Sequence, residues 1–294
     1  MIKNETVFVL GAGASIPYKF PSGITLVKEI IKGAFDDRSV LSQMFPRSIR
    51  EDFSKALDLS FAPSIDDFLE KRPEFMEIGK ASISAHLIAK ESPSNITRET
   101  EGNWYELLWQ CMQAKNDEFT QNKVSFLTFN YDRSLEFFLQ RALINYFGIS
   151  KERANQILDE IPIIHVHGML GAFKEEQPYY RDYNPQITKE IIEVSAKMIR
   201  VFHEKSQDAD DIAEKANVLF NEASTICFLG FGYHPVNIQR IKVDKFNHQK
   251  HMVGSVYHLE QAERDRIPNL LSGIKLGFSS SDCLDFLRTN FMPT

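Results

Sequence analysis

Five short apolar runs recur along the chain, at residues 6–10, 124–129, 161–166, 225–230 and 253–259. Each is rich in β-branched or aromatic residues and lacks the polar alternation of a strand with one wet face, so each predicts a strand buried on both sides. Between the runs the period changes. Leu135, Phe138, Leu139, Ala142, Leu143 and Tyr146 fall at i, i+3, i+4, i+7, i+8 and i+11, one stripe of a helix. Ile212, Ala216, Leu219, Phe220 and Ala223 form a second helical stripe just before the fourth run. Strands separated by helices predict a Rossmann-like, doubly wound α/β fold, with a parallel sheet covered by helices on both faces.

From about residue 36 to 120 no comparable run occurs, and the stretch is dense in helix formers. Helix starts such as PSIDDFLEKRPEF, where Ser64 can cap and Asp66 and Asp67 favour the positive helix end, predict a helical insertion module there. A second helical segment is expected at about 186–222, with the acidic DADD as a solvated helix start. No repeat, low-complexity tract or Pro/Gly/Ser-rich linker divides the chain, so one domain over residues 1–294 is expected.

Composition narrows the classes. At 294 residues and 43 % apolar content there is ample material for a core. The net charge of −6, from 34 basic and 40 acidic residues, offers no basic stripe, so no direct nucleic-acid binding is expected. Cys111, Cys227 and Cys283 lie far apart with no CxxC spacing and cannot make a four-thiolate zinc site; a reducing cytoplasm is the expected setting. AGAS near the start mimics a signal-peptide cleavage site, but the apolar stretch at residues 7–10 is too short to precede one. No run approaches the ~18 apolar residues of a membrane helix, so no membrane partner is expected.

The first strand breaks into GAGASIPYKFPSG. Gly11 and Gly13 follow a strand, where the missing Cβ would let backbone N–H groups approach a pyrophosphate; the plainer reading is a turn. A hydride-transfer fingerprint would need a third glycine and prompt helix entry. Here Ile16 replaces that glycine, Pro17 and Pro21 delay the helix to about Ile24, and Glu29 falls inside it rather than at a strand end. The loop is long enough to fold over a ligand.

Two further strand ends carry candidate chemistry. TFNYD places Asn130, Tyr131 and Asp132 at a carboxyl strand end, where open α/β sheets bind ligands; a helix cap explains Asn130 or Asp132 equally well. HVHG places His165 and His167 on one face by strand alternation, with Val166 on the other. His167, followed by Gly168, can act as a base near neutral pH; two histidines at i, i+2 could also ligate a metal, though no Cys or carboxylate cluster completes such a site. For His165 a core or supporting role is expected. The fourth strand ends in LGFGYHPVN, where Gly230 and Gly232 would let a ligand pass close to backbone and His234 and Asn237 could reach it; a plain loop reads equally well. Tyr257, His258 and Glu260 sit at the fifth strand's edge without a specific signal.

The ordered set GAGAS, TFNYD, HVHG and LGFGYHPVNI resembles the sirtuin-like (silent information regulator) family, in its bacterial branch without a zinc ribbon. PSIDDFLE resembles a segment typical of that branch. The resemblance implies an NAD-binding sheet with a smaller helical module. It assigns Gly11, Ala12, Gly13 and Ser15 to the cofactor loop, Asn130 and Asp132 to the nicotinamide ribose, His167 to the catalytic base, and Gly230 and Gly232 to a second cofactor segment. Protein-deacylating members carry a thiolate zinc tetrad that three scattered cysteines cannot supply, so no zinc is expected. The zinc-free relatives look like NAD glycohydrolases of antiphage defence. The resemblance therefore implies an NAD+ hydrolase, controlled by homo-oligomerisation or by a partner such as a HerA-type DNA-translocating ATPase. Two other readings stand beside it: an NAD-dependent protein deacylase or ADP-ribosyl transferase, and a nucleotide-sensing scaffold without catalysis. The helical module, with Trp104 and Trp109, could pack subunits together, although core packing accounts for each aromatic singly.

Overall fold

In a computed structural model, which describes residues 1–201, 207–246 and 249–291, neighbouring side chains of the strands enter two different cores. Six strands form one sheet: β1 (Thr6–Leu10), β2 (Val124–Thr128), β3 (Ile163–His165), β4 (Thr225–Leu229), β5 (His251–Gly254) and β6 (Lys275–Leu276). Their order is β3-β2-β1-β4-β5-β6, and every pairing is parallel. Phe8, Leu10, Phe126, Cys227 and Leu229 belong to one core, while Val7, Val9, Leu127, Ile226 and Phe228 belong to the other. That double burial is why these runs read as continuously apolar.

Between β1 and β2 stand α1 (Gly23–Gly33), α2 (Val40–Met44), α3 (Arg47–Ser60), α4 (Ile65–Lys71), α5 (Met76–Ile88) and α6 (Trp104–Met112). α7 (Ser134–Phe147) and α8 (Lys151–Asp159) lead to β3, then α9 (Lys189–Met198) and α10 (Gln207–Glu222) to β4. α11 (Pro235–Ile241), α12 (Gln261–Arg264), α13 (Ile267–Leu270) and α14 (Cys283–Asn290) complete the described helices. Helices α1, α3, α5, α7 and α9 fill the first core, whereas α10, α11 and α13 fill the second, so the sheet is covered on both faces.

The expected α/β architecture is therefore present, with differences in detail. The third run is a strand only over Ile163–His165, and the fifth lies earlier than expected, ending at Gly254. Its expected continuation turns away, and the Ser255 hydroxyl accepts the Gly230 N–H at 2.9 Å. β6 has two residues, too few to leave a pattern. The insertion is helical as expected, and Trp104 is wholly buried in the first core. In the segment 186–222, residues 202–206 lie outside the described residues; DADD falls in the first turn of α10, with Asp210 and Asp211 exposed. Among the described residues no helix is long and apolar enough to cross a membrane.

Chain order runs outward from β1 to β2 and β3 on one side, and through β4, β5 and β6 on the other. The switch point thus lies between the carboxyl ends of β1 and β4, where an open sheet leaves a crevice.

Candidate functional site at the switch point

At that crevice the two glycine loops press against each other. The Gly11 N–H donates to Leu229 O and the Gly13 N–H to Gly230 O, each at 3.0 Å. A Cβ on Gly11 would stand 2.5 Å from Gly230 O, and one on Gly13 would stand 2.7 Å from Gly230 Cα. Gly230 has φ +55°, and a Cβ there would lie 2.0 Å from Ala14 N. These glycines are demanded by backbone packing, and the N–H groups of Gly11 and Gly13, expected to approach a phosphate, are committed to the β4 segment instead. Gly232 differs, with no atom within 4 Å of a Cβ built on it.

The expected long loop is a 3-10 helix over Ala12–Tyr18, and it is tied down by the helical module. Trp104 donates its indole N–H to Ala14 O at 2.8 Å. Tyr18 stacks on Tyr105 with ring centroids 3.9 Å apart, accepts the Tyr105 N–H and donates to Asn103 Oδ1 at 3.1 Å. The loop is thus anchored to the helical module at Ala14 and at Tyr18.

Asn130 donates both amide hydrogens, to Gly11 O and to Ser15 Oγ, each at 2.9 Å. Because a carbonyl oxygen can only accept, this pairing settles which end of the amide is nitrogen and leaves Oδ1 to accept from a ligand. Ser15 passes its hydrogen to Asp132 Oδ2 at 2.7 Å. Asp132 Oδ1 accepts the Ser134 hydroxyl and, at 3.1 Å, the Ser134 N–H at the start of α7. Burial pushes the Asp132 carboxyl up, against the hydroxyls of Ser134 and Ser15, which pull it down. Asp132 therefore orients Ser15, and through it Asn130, while also serving the helix start.

β3 ends at His165, and the two histidines meet different partners. A turn follows at residues 166–167, and Val166 packs into the second core. His165 is buried between the Asn130 carbonyl, 2.8 Å from Nδ1, and Glu136 Oε1, 2.6 Å from Nε2. Burial lowers its pKa, but the charge and hydrogen bond of Glu136, with the Asn130 carbonyl, leave it raised above 6.5. His167 lies beside the rings of Phe129 and Tyr131, at 5.7 and 5.9 Å between centroids, and its carbonyl accepts the Arg200 N–H at 2.8 Å. Burial holds its pKa below 6.5, with Asp66 opposing. Beyond it, Gly168 at φ +73° packs on Met198 O, where any Cβ would collide at 1.9 Å. The following segment is fastened by a buried triad, in which Glu91 takes Arg181 at 2.5 Å and Arg133 at 3.2 Å.

These pieces surround a cavity of about 250 Å³. Gly11, Ala12, Asn130, His167 and Gly232 border it together, so the imidazole, the carboxamide and the first glycine loop share one space. Ser15 and Asp132 border an adjoining space of about 80 Å³ that also touches Asn130. Gly13 and Gly230 border a third, of about 410 Å³, on the β5 side; Phe231 and Gly232 line both it and the first. His234 and Asn237 line the first cavity, and Tyr257 the third. His258 donates its N–H to Ser279 O, and Glu260 caps α12.

Three residues that line the cavity are given no site role from the sequence. Asp66 and Glu70, one turn apart on α4, line the cavity together with Arg240 of α11, which meets Glu70 at 2.8 Å. Their i, i+4 spacing is visible in the sequence, but nothing local says that α4 faces the crevice. Among the described residues no group of three or more His, Cys, Asp or Glu is placed to hold a metal ion. Burial pushes the Cys227 thiol well above its ordinary range and the Cys283 thiol up to about 12, so both are protonated. No protein-family model matches this chain, and no curated protein matches it. Chemically, the cavity offers a base kept neutral near pH 7, a carboxamide oxygen that accepts, and a wall carrying Asp66, Asp67 and Glu70.

Proposed function

We propose that this chain hydrolyses NAD+ to nicotinamide and ADP-ribose in that cavity. The observation that carries the reading is the convergence of His167, Asn130 and the first glycine loop on one space at the switch point. In the reaction the C1′–N bond of the nicotinamide ribose breaks, its electron pair passes to the ring nitrogen, and nicotinamide leaves neutral. A water oxygen bonds to C1′ and gives its proton to His167, so NAD+ and water become nicotinamide, ADP-ribose and a proton. No strong general acid is needed. Asn130 Oδ1 orients the water or a ribose hydroxyl, and the carboxylates of α4 favour the cationic, oxocarbenium-like transition state. Phe231 and Gly232, shared by the first and third cavities, suit a dinucleotide that straddles the ridge between them, the adenosine half on the β5 side.

The same proposal takes its setting from the sirtuin-like resemblance: a cytoplasmic antiphage effector, switched on by self-assembly or by a HerA-type ATPase. Chromatography of the small molecules left after incubating the protein with NAD+, alone and with its genomic neighbour, tests it. Free nicotinamide with ADP-ribose, abolished in His167→Ala and in Asn130→Ala, is the expected result. ADP-ribose linked to protein or to an acyl group would replace hydrolysis with transfer or deacylation, and saturable binding without product would leave a sensing scaffold.

A further inference from the structure

The helical module reaches the cavity through α4. Ser64 caps that helix by accepting the Asp67 N–H, which leaves Asp66 and Glu70 on one face, toward the crevice. Glu70 ties this face to Arg240 on α11, beyond β4. At the other end, a single oxygen of Asp66, Oδ1, faces two groups that follow β2 and β3: the Tyr131 hydroxyl, which donates to it, and His167 Nδ1, at the ion-pair distance of 3.8 Å. Tyr131 is buried, and burial, then the nearby Asp66 charge, push its hydroxyl well above the ordinary range, so it remains a donor.

We infer that Asp66 is a positioning residue for His167: its carboxylate, fixed by Tyr131, orients the imidazole and stabilises the imidazolium formed when Nε2 takes a proton from water. The inference rests on the hydrolytic reading above and gives the helical module a part in catalysis. The proton balance is simple. Nε2 gains the hydrogen that water loses, Nδ1 keeps its own hydrogen, and the positive charge lies at ion-pair distance, 3.8 Å, from the Asp66 carboxylate. The charged or titratable groups facing His167 are Asp66 and Glu70 from α4, Arg240 from α11 and Tyr131 after β2; Arg200 contributes its backbone N–H to the His167 carbonyl. Glu70 and Arg240 pair with each other, which leaves Asp66 as the carboxylate whose removal His167 should feel most.

The test is a histidine-labelled NMR titration of the full chain, with the His167 signal identified by its loss in His167→Ala. In Asp66→Asn the His167 pKa should fall by roughly one unit relative to wild type. Where hydrolysis is measured, kcat should fall roughly 10- to 100-fold with KM nearly unchanged. Tyr131→Phe, which keeps both carboxylate and imidazole, should give a smaller change in the same direction and guards against a folding artefact. An unchanged His167 titration in Asp66→Asn overturns the pairing. So does a rise in KM at constant kcat, which would make Asp66 a substrate contact. Failure of wild-type protein to release nicotinamide would remove the hydrolytic reading alone, because the titration needs no turnover.

Discussion

Val166 separates two histidines whose surroundings act on an imidazole in opposite senses. Around His165 the chain supplies an acceptor for each ring nitrogen, one a carbonyl and one a carboxylate, and seals them from water. That environment favours the charged ring. Around His167 the rings of Phe129 and Tyr131 and the burial outweigh the carboxylate of Asp66, and the ring borders a cavity. That environment favours the neutral ring, the form a base must start from. Two residues of spacing thus separate a ring held between two acceptors from a ring that borders the cavity.

The sharpest way to break this comparison is to remove each ring in turn. His167→Ala should cut nicotinamide release by roughly 10²- to 10⁴-fold, with the thermal midpoint close to wild type. His165→Ala should act mainly on stability, costing about 3–5 kcal/mol in denaturant unfolding because the buried Glu136 carboxylate loses its cation. Matching profiles for the two variants would erase the distinction.

A smaller pair of effects comes from the glycines under the same cavity. Gly230→Ala forces a side chain into left-handed backbone and onto Ala14 N, and should cost at least about 1–3 kcal/mol. Gly232→Ala meets open space, so stability should hold while KM for NAD+ rises as the methyl group enters the shared floor of the two cavities.

The smallest effects are those of pH, and their signs differ. The His165 pKa is raised on folding, so its stabilisation is complete below pH 6.5 and is lost as pH rises through the folded value. The His167 pKa is lowered, so the unfolded chain binds that proton more tightly, and between the folded value and pH 6.5 this ring's contribution to stability increases with pH. The acid limb of kcat/KM for NAD+ should accordingly fall below pH 6.5. Unfolding curves of His165→Gln and His167→Gln against pH separate the two slopes.

Much of the fold is legible in the sequence because burial on both faces leaves an unmistakable apolar run, and because the stripe from Leu135 to Tyr146 has only one helical solution. The candidate site is legible where polar side chains follow a strand end, as with Asn130 and His167, which line one cavity. It is illegible where distant segments decide. The 3-10 form of residues 12–18 is held by Trp104 and Tyr105, about ninety positions away, and Asp66 reads as an ordinary first-turn carboxylate until α4 is seen over the crevice. Gly11 and Gly13 read as a turn or a phosphate loop, and the close packing on Gly230 that demands glycine there comes from the β4 loop, more than two hundred positions away.

A crystal structure of His167→Ala soaked with NAD+ tests the central claim most directly. The account predicts the nicotinamide ribose between Asn130 and residue 167, with C1′ facing the vacated imidazole position and the adenosine half across Phe231 and Gly232. A dinucleotide bound with its ends reversed, or bound away from the switch point, would contradict it.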